Sequence, residues 1–195
     1  QSHTEMICDL ATRGSSNVDS GTVTVGNQVA SVSLSYEVPA VDSISPDPIP
    51  TVGDEVVVSG TDFSGPNPRV IWAGSTLTPS SSSDTSLTVN VPAGVGTDRS
   101  LQVSVGGLTS DASLFDYLPP AIDGVTFSDA GADGNPLTDG STTATISGSN
   151  FGSSSTPGTV SVGSLQFVVT SWDETEIVCT VGEGAGTVTL TVTNA

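Results

Sequence analysis

Ala144-Thr145-Ile146-Ser147-Gly148-Ser149-Asn150-Phe151 rewrites Val56-Val57-Val58-Ser59-Gly60-Thr61-Asp62-Phe63, an apolar alternation closed by glycine, a short polar residue and phenylalanine. The likeness extends outward from there. Val70-Ile71-Trp72 returns as Val160-Ser161-Val162, and Thr85–Val91 as Thr175–Val181. Two copies of about ninety residues are present, the period of a repeated structural unit. They open at Val41-Asp42-Ser43-Ile44 and Ile122-Asp123-Gly124-Val125, behind the proline joints Pro39-Ala40 and Pro119-Pro120-Ala121. Proline fixes φ and lacks an N–H, so these joints are stiff and cannot continue a ladder.

The segments around these motifs alternate with period two, as in Leu87–Val91, Leu101–Val105, Ile177–Val181 and Val188–Val192, and none holds a helical period. Short strands broken by Gly, Pro and Asp predict β-sandwiches, and the Val and Thr bias suits a pleated surface. The expected fold class is all-β.

Charge removes several functions. The chain carries 21 acidic and 3 basic residues, a net charge of −18. The basic residues are Arg13, Arg69 and Arg99, so neither nucleic acid nor an anionic membrane surface is an expected partner. No apolar run is long enough for a membrane-spanning helix. The chain opens on Gln1 with no signal peptide, which reads as a processed or excised polypeptide. The absence of lysine and the many hydroxyl residues suit an extracellular or cell-surface setting. No Asn begins an N-glycosylation triplet, so the candidate glycan carriers are O-linked: Ser80, Ser81, Ser82, Ser83, Ser153, Ser154, Ser155 and Thr156.

The residues Val41, Ile44, Pro46, Gly53, Val56, Val58, Gly60, Phe63, Leu87, Val89, Val91 and Pro92 form a pattern that resembles the IPT/TIG immunoglobulin-like domain. The second copy keeps Gly148 and Phe151 but replaces the early proline with the acidic loop Ser128–Gly140. The resemblance implies two tandem Ig-like sandwiches and says little about activity.

Their ends do not match. The first copy, residues 41–118, finishes with Leu101–Val105, a Gly106-Gly107 turn and a last strand from Leu108 to Leu118. The second, residues 119–195, stops after Val192 without that strand. The arm, residues 1–40, resembles the end of a third copy: Val25–Tyr36 aligns with Val105–Tyr117, and Thr4–Leu10 with Thr175–Val181. The expectation is a structural subunit that polymerises head to tail. Strand 28–38, with Val29, Val32, Leu34, Tyr36 and Val38, would enter the unfinished second copy of a neighbour beside Val188, Leu190 and Val192. The partners are then copies of the chain itself. The alternative is a segment of a longer tandem surface adhesin or receptor stalk.

Chemistry finds few candidates. His3 is the only histidine, which leaves a catalytic triad or zinc site without its parts, and no enzyme and no cofactor is expected. Asp129, Asp133, Asn135 and Asp139 make a weak Ca²⁺ candidate, and a solvated acidic turn is the better reading. Cys8 and Cys179 are either a bridge, which between subunits would lock a polymer, or include a buried thiol at Cys179. Trp72 is expected in the core, whereas Trp172, in a polar turn, is the better candidate for exposure.

Overall fold

The computed structural model describes residue 7 and residues 18–129, 131, 134–137, 139–155, 157–162, 165–183 and 189–194, without the side chains of residues 18, 19, 165 and 166. Every regular element among them is a strand. In the arm, β1 (Val18–Val25) and β2 (Gln28–Ser35) pair as an antiparallel hairpin that forms a sheet of its own.

The first copy supplies β3 (Ala40–Ser45), β4 (Glu55–Thr61), β5 (Arg69–Trp72), β6 (Ser75–Leu77), β7 (Ser81–Ser82), β8 (Ser86–Asn90), β9 (Arg99–Val105), β10 (Leu108–Thr109) and β11 (Ser113–Phe115). One sheet runs β3-β4-β8-β7, the other β10-β9-β5-β6 with β11 also on β9. The second copy supplies β12 (Ala121–Phe127), β13 (Thr143–Ser149), β14 (Thr159–Val162), β15 (Leu165–Gln166), β16 (Val168–Trp172), β17 (Glu176–Thr180) and β18 (Leu190–Thr193). Its sheets run β12-β13-β17-β16 and β15-β14-β18.

Alternation in sequence becomes alternation in burial. Val56, Val58, Leu87, Val89, Leu101 and Val103 are buried in the first copy, and Ala144, Ile146, Ile177 and Cys179 in the second. Each fully buried aliphatic side chain of this size stabilises by about 2 kcal/mol. In the second copy these residues pack with Phe151, Val160, Trp172, Val181 and Val192 as one core.

The repeated Gly-x-x-Phe motif has a steric cause. A Cβ on Gly60 would lie 1.9 Å from Ala40 O and 2.6 Å from Phe63 Cζ; on Gly148 it would lie 2.0 Å from Ala121 O and 2.5 Å from Phe151 Cζ. The intervening Asp62 and Asn150 both take positive φ, 62° and 58°, which short polar side chains tolerate best after glycine. Asp42 and Asp123 mark a register shift at the same point of β3 and β12, a bulge that explains the acid at the start of each copy.

Two expectations change here. The strand from Leu108 to Leu118 is broken into β10 and β11, because Ser110 is buried and bonds sideways. Its N–H donates to Val103 O at 2.8 Å, and its Oγ accepts the Val103 N–H at 2.9 Å. Trp172 is not exposed: it ends β16, 6% accessible, and its Nε1 donates to Phe151 O at 2.9 Å.

Packing groups the chain differently from the repeats. One compact unit comprises residues 1–45, 55–90 and 100–114; the other comprises residues 46–54, 91–99 and 115–195. In the second unit Ile49 forms a parallel bridge with Tyr117, and the Tyr117 hydroxyl donates to Pro92 O at 3.1 Å.

Candidate functional site

The hairpin register sorts its side chains by face. Gly21↔Val32 and Val23↔Ala30 are cross-strand pairs, and Val25 and Leu34 share their side. Thr22↔Ser31, Ser20↔Ser33 and Thr24↔Val29 occupy the other. One face is therefore mainly apolar, with Gln28 at its turn end, and the other mainly hydroxylated, with Val29 among the hydroxyls. Val23, Val25 and Val32 on the apolar face are exposed, at 43%, 71% and 55%. Of the proposed insertion residues, Val32 and Leu34 share this face, Val29 lies opposite, and Tyr36 and Val38 follow the end of β2.

The hairpin resembles the end of the first copy at its turn, although Gly107 takes φ 86° where Asn27 takes no positive φ. Val25 pairs with Gln28 as Val105 pairs with Leu108, and the turns open on Gly26 and Gly106 at φ 60° and 55°. Here β1 stands for β9 and β2 for the strand pieces that flank it. Strand β2 is not a lone strand, since β1 occupies one of its edges along its whole length.

Strand β18 pairs with β14 from Thr159↔Thr193 to Val162↔Leu190. Among the described residues its other edge carries no strand, whereas β9 in the first copy has β5 on one side and β10 and β11 on the other. Val192 is buried and Leu190 half-buried; Val188 lies outside the described residues.

The acidic loop is knitted to itself. Asp139 Oδ1 accepts from Ser141 N at 3.0 Å and from Ser141 Oγ at 2.6 Å, and these bonds, the side-chain one foremost, hold its carboxyl below the usual range. Asp129 Oδ2 accepts from Ser128 Oγ at 3.0 Å, and Asn135 O accepts the Gly131 N–H at 2.8 Å. Asp133 lies outside the described residues, among which no three His, Cys, Asp or Glu side chains converge as metal ligands.

Cys179 is a free thiol with no exposed surface, and burial raises its pKa; Cys8 lies outside the described residues. Ser80 to Ser83 and Ser153 to Ser155 are all exposed, with Thr156 undescribed.

One polar cluster escapes sequence reasoning. Thr51, 1% exposed, donates its hydroxyl to Glu174 Oε1 and stands 3.5 Å from Asn150 Oδ1, while Glu174 Oε2 accepts the Gly152 N–H at 2.9 Å. The available signal was a difference between copies: Asn150, Gly152 and Glu174 align with Asp62, Ser64 and Asp84.

Residues 39–117 and 135–195 match the model of the IPT/TIG domain. The chain belongs to the IPT/TIG family. The first TIG match spans β3 to β11 and the second spans β13 to β18, leaving β12 of the second sandwich before its match, and the arm hairpin precedes the first TIG copy. A comparison with characterised proteins finds no match. Among solved structures, the TIG chain is similar to the surface glycan-binding protein PbSGBP-B from Prevotella bryantii at 18% identity and TM-score 0.43, covering 83% of this chain and 42% of that one. Similarity to the Plexin A4 extracellular region has 15% identity and TM-score 0.41, covering 84% and 15%. The SGBP-B of the Bacteroides ovatus mixed-linkage glucan utilization locus, in complex with a heptasaccharide, matches at 18% and TM-score 0.34, covering 88% and 45%. The TIG chain thus spans less than half the length of each of these proteins. Among the described residues no helix is long and apolar enough to cross a membrane.

Proposed function

We propose that the chain is a non-enzymatic structural subunit of an extracellular filament, in which hairpin β1–β2 of one subunit adds to β18 in the second TIG copy of the next. One observation carries the reading: the hairpin shares the turn-closing pair and the opening glycine conformation of the β9–β10 turn that closes the first copy, and its equivalent valine-bearing face is exposed. Strand addition supplies main-chain hydrogen bonds, and the valines supply apolar contact. The contact is heterologous, so repetition gives an open fibre. The exposed serines are proposed carriers of O-linked glycans.

A second reading, a segment of a tandem surface array, is favoured by a specific feature. Strands β1 and β18 both correspond to β9, so adding the whole hairpin brings one strand more than the first copy contains. Negative-stain microscopy and light scattering of residues 1–195 separate the two. Concentration-dependent fibres that vanish on deletion of residues 1–38 are expected. A chain that stays monomeric favours the array, and fibres that survive the deletion overturn hairpin addition.

A further inference from the structure

The Thr51 cluster holds the parts of an acyl-transfer reaction. A threonine hydroxyl has one proton. Because Thr51 directs it to Glu174, the contact of 3.5 Å with Asn150 Oδ1 brings oxygen lone pairs against the carboxamide. Turning that amide end for end exchanges its O and N but leaves Cγ in place. Both partners are held. Glu174 is fixed by the Gly152 N–H, and the Asn150 backbone, at φ 58°, accepts Asn194 Nδ2 on its carbonyl at 3.0 Å. A nucleophile with a base on its proton and an acyl group alongside is the arrangement for covalent attack, and such proximity replaces a bimolecular encounter.

The first copy shows that the backbone alone does not require asparagine here. Asp62 takes the same left-handed conformation, and Asp84 accepts from Ser64 Oγ at 2.7 Å. Among the described residues the amide, the threonine and the longer acid are brought together in the second compact unit, where Thr51 and Asn150 are 99 residues apart.

We propose that Thr51 and Asn150 join spontaneously through an intramolecular ester. Thr51 Oγ1 attacks Cγ of Asn150 while Glu174 takes the hydroxyl proton. The tetrahedral intermediate collapses with cleavage of the Cγ–Nδ2 bond, Glu174 returns the proton to the departing nitrogen, and ammonia leaves. Hydroxyl and carboxamide become ester and ammonia; nothing is oxidised or reduced, and Glu174 ends as it began.

Mass spectrometry of the denatured wild-type chain tests this through a loss of about 17 Da, the mass of the expelled ammonia. An amino-terminal glutamine cyclises with the same loss, so the change is located by cleavage at acidic residues. The expected product is a branched peptide containing Thr51 and Asn150, opened by mild alkali to leave Asp at 150. Thr51→Ser keeps the nucleophile and should keep the branch, whereas Thr51→Val and Asn150→Asp should abolish it, with circular dichroism reporting the fold of each. Linear Thr51 and Asn150 peptides from folded wild-type protein, after prolonged incubation, would overturn the proposal and leave a hydrogen-bonded clasp.

Discussion

At the scale of single residues, two glycines of similar appearance have opposite meanings. Gly148 has no room for a side chain, since the first obstacle is the backbone oxygen of Ala121; at Gly124 the nearest atom to an added Cβ is Ser147 Oγ at 3.4 Å. Gly148→Ala is expected to cost about 3 kcal/mol, because the strand carrying Ala121 must move. Gly124→Ala is expected to be neutral or slightly stabilising through the unfolded chain. Urea midpoints of the two variants measure the difference, and equal midpoints would contradict the steric account. The glycines and phenylalanines of the repeat were legible in sequence because each must be that residue for a local reason. Thr51 was not: its partner Glu174 is 123 positions away, and no local pattern marks a hydroxyl that will be buried.

At the scale of elements, period-two alternation revealed most strands, because one buried and one solvated face impose it. It failed where a side chain replaced the ladder. Ser110 reads as a continuation of the last strand, yet its hydroxyl takes the Val103 N–H and splits the strand in two. Trp172 reads as exposed from its polar neighbours, but the indole N–H finds Phe151 O, 21 positions earlier. The hairpin allows a test in which the faces serve as each other's control. Val32→Asp places a charge on the apolar face and should abolish assembly, while Ser33→Asp on the hydroxylated face should permit it. Neither should change the unfolding free energy by more than about 0.5 kcal/mol, as both lie at exposed positions. Equal loss of assembly in both would point to charge rather than face.

At the scale of the whole molecule, a net charge of −18 opposes any association between copies. Assembly by strand pairing should therefore accelerate as salt rises from low values to about 0.15 M, where the screening length falls to roughly 8 Å. Light scattering through a salt series records this, and fibres that dissolve over that range would indicate ion pairs instead. The carbonyls of Ala40 and Ala121 rest in identical seats, one over Gly60 and one over Gly148. Each alanine follows a proline and precedes a bulged first strand. Joining the chain at those two points would keep both seats intact, whereas the clasp of Thr51 with Asn150 and Glu174 spans the copies and would persist only where a first-type copy is followed by a second-type one.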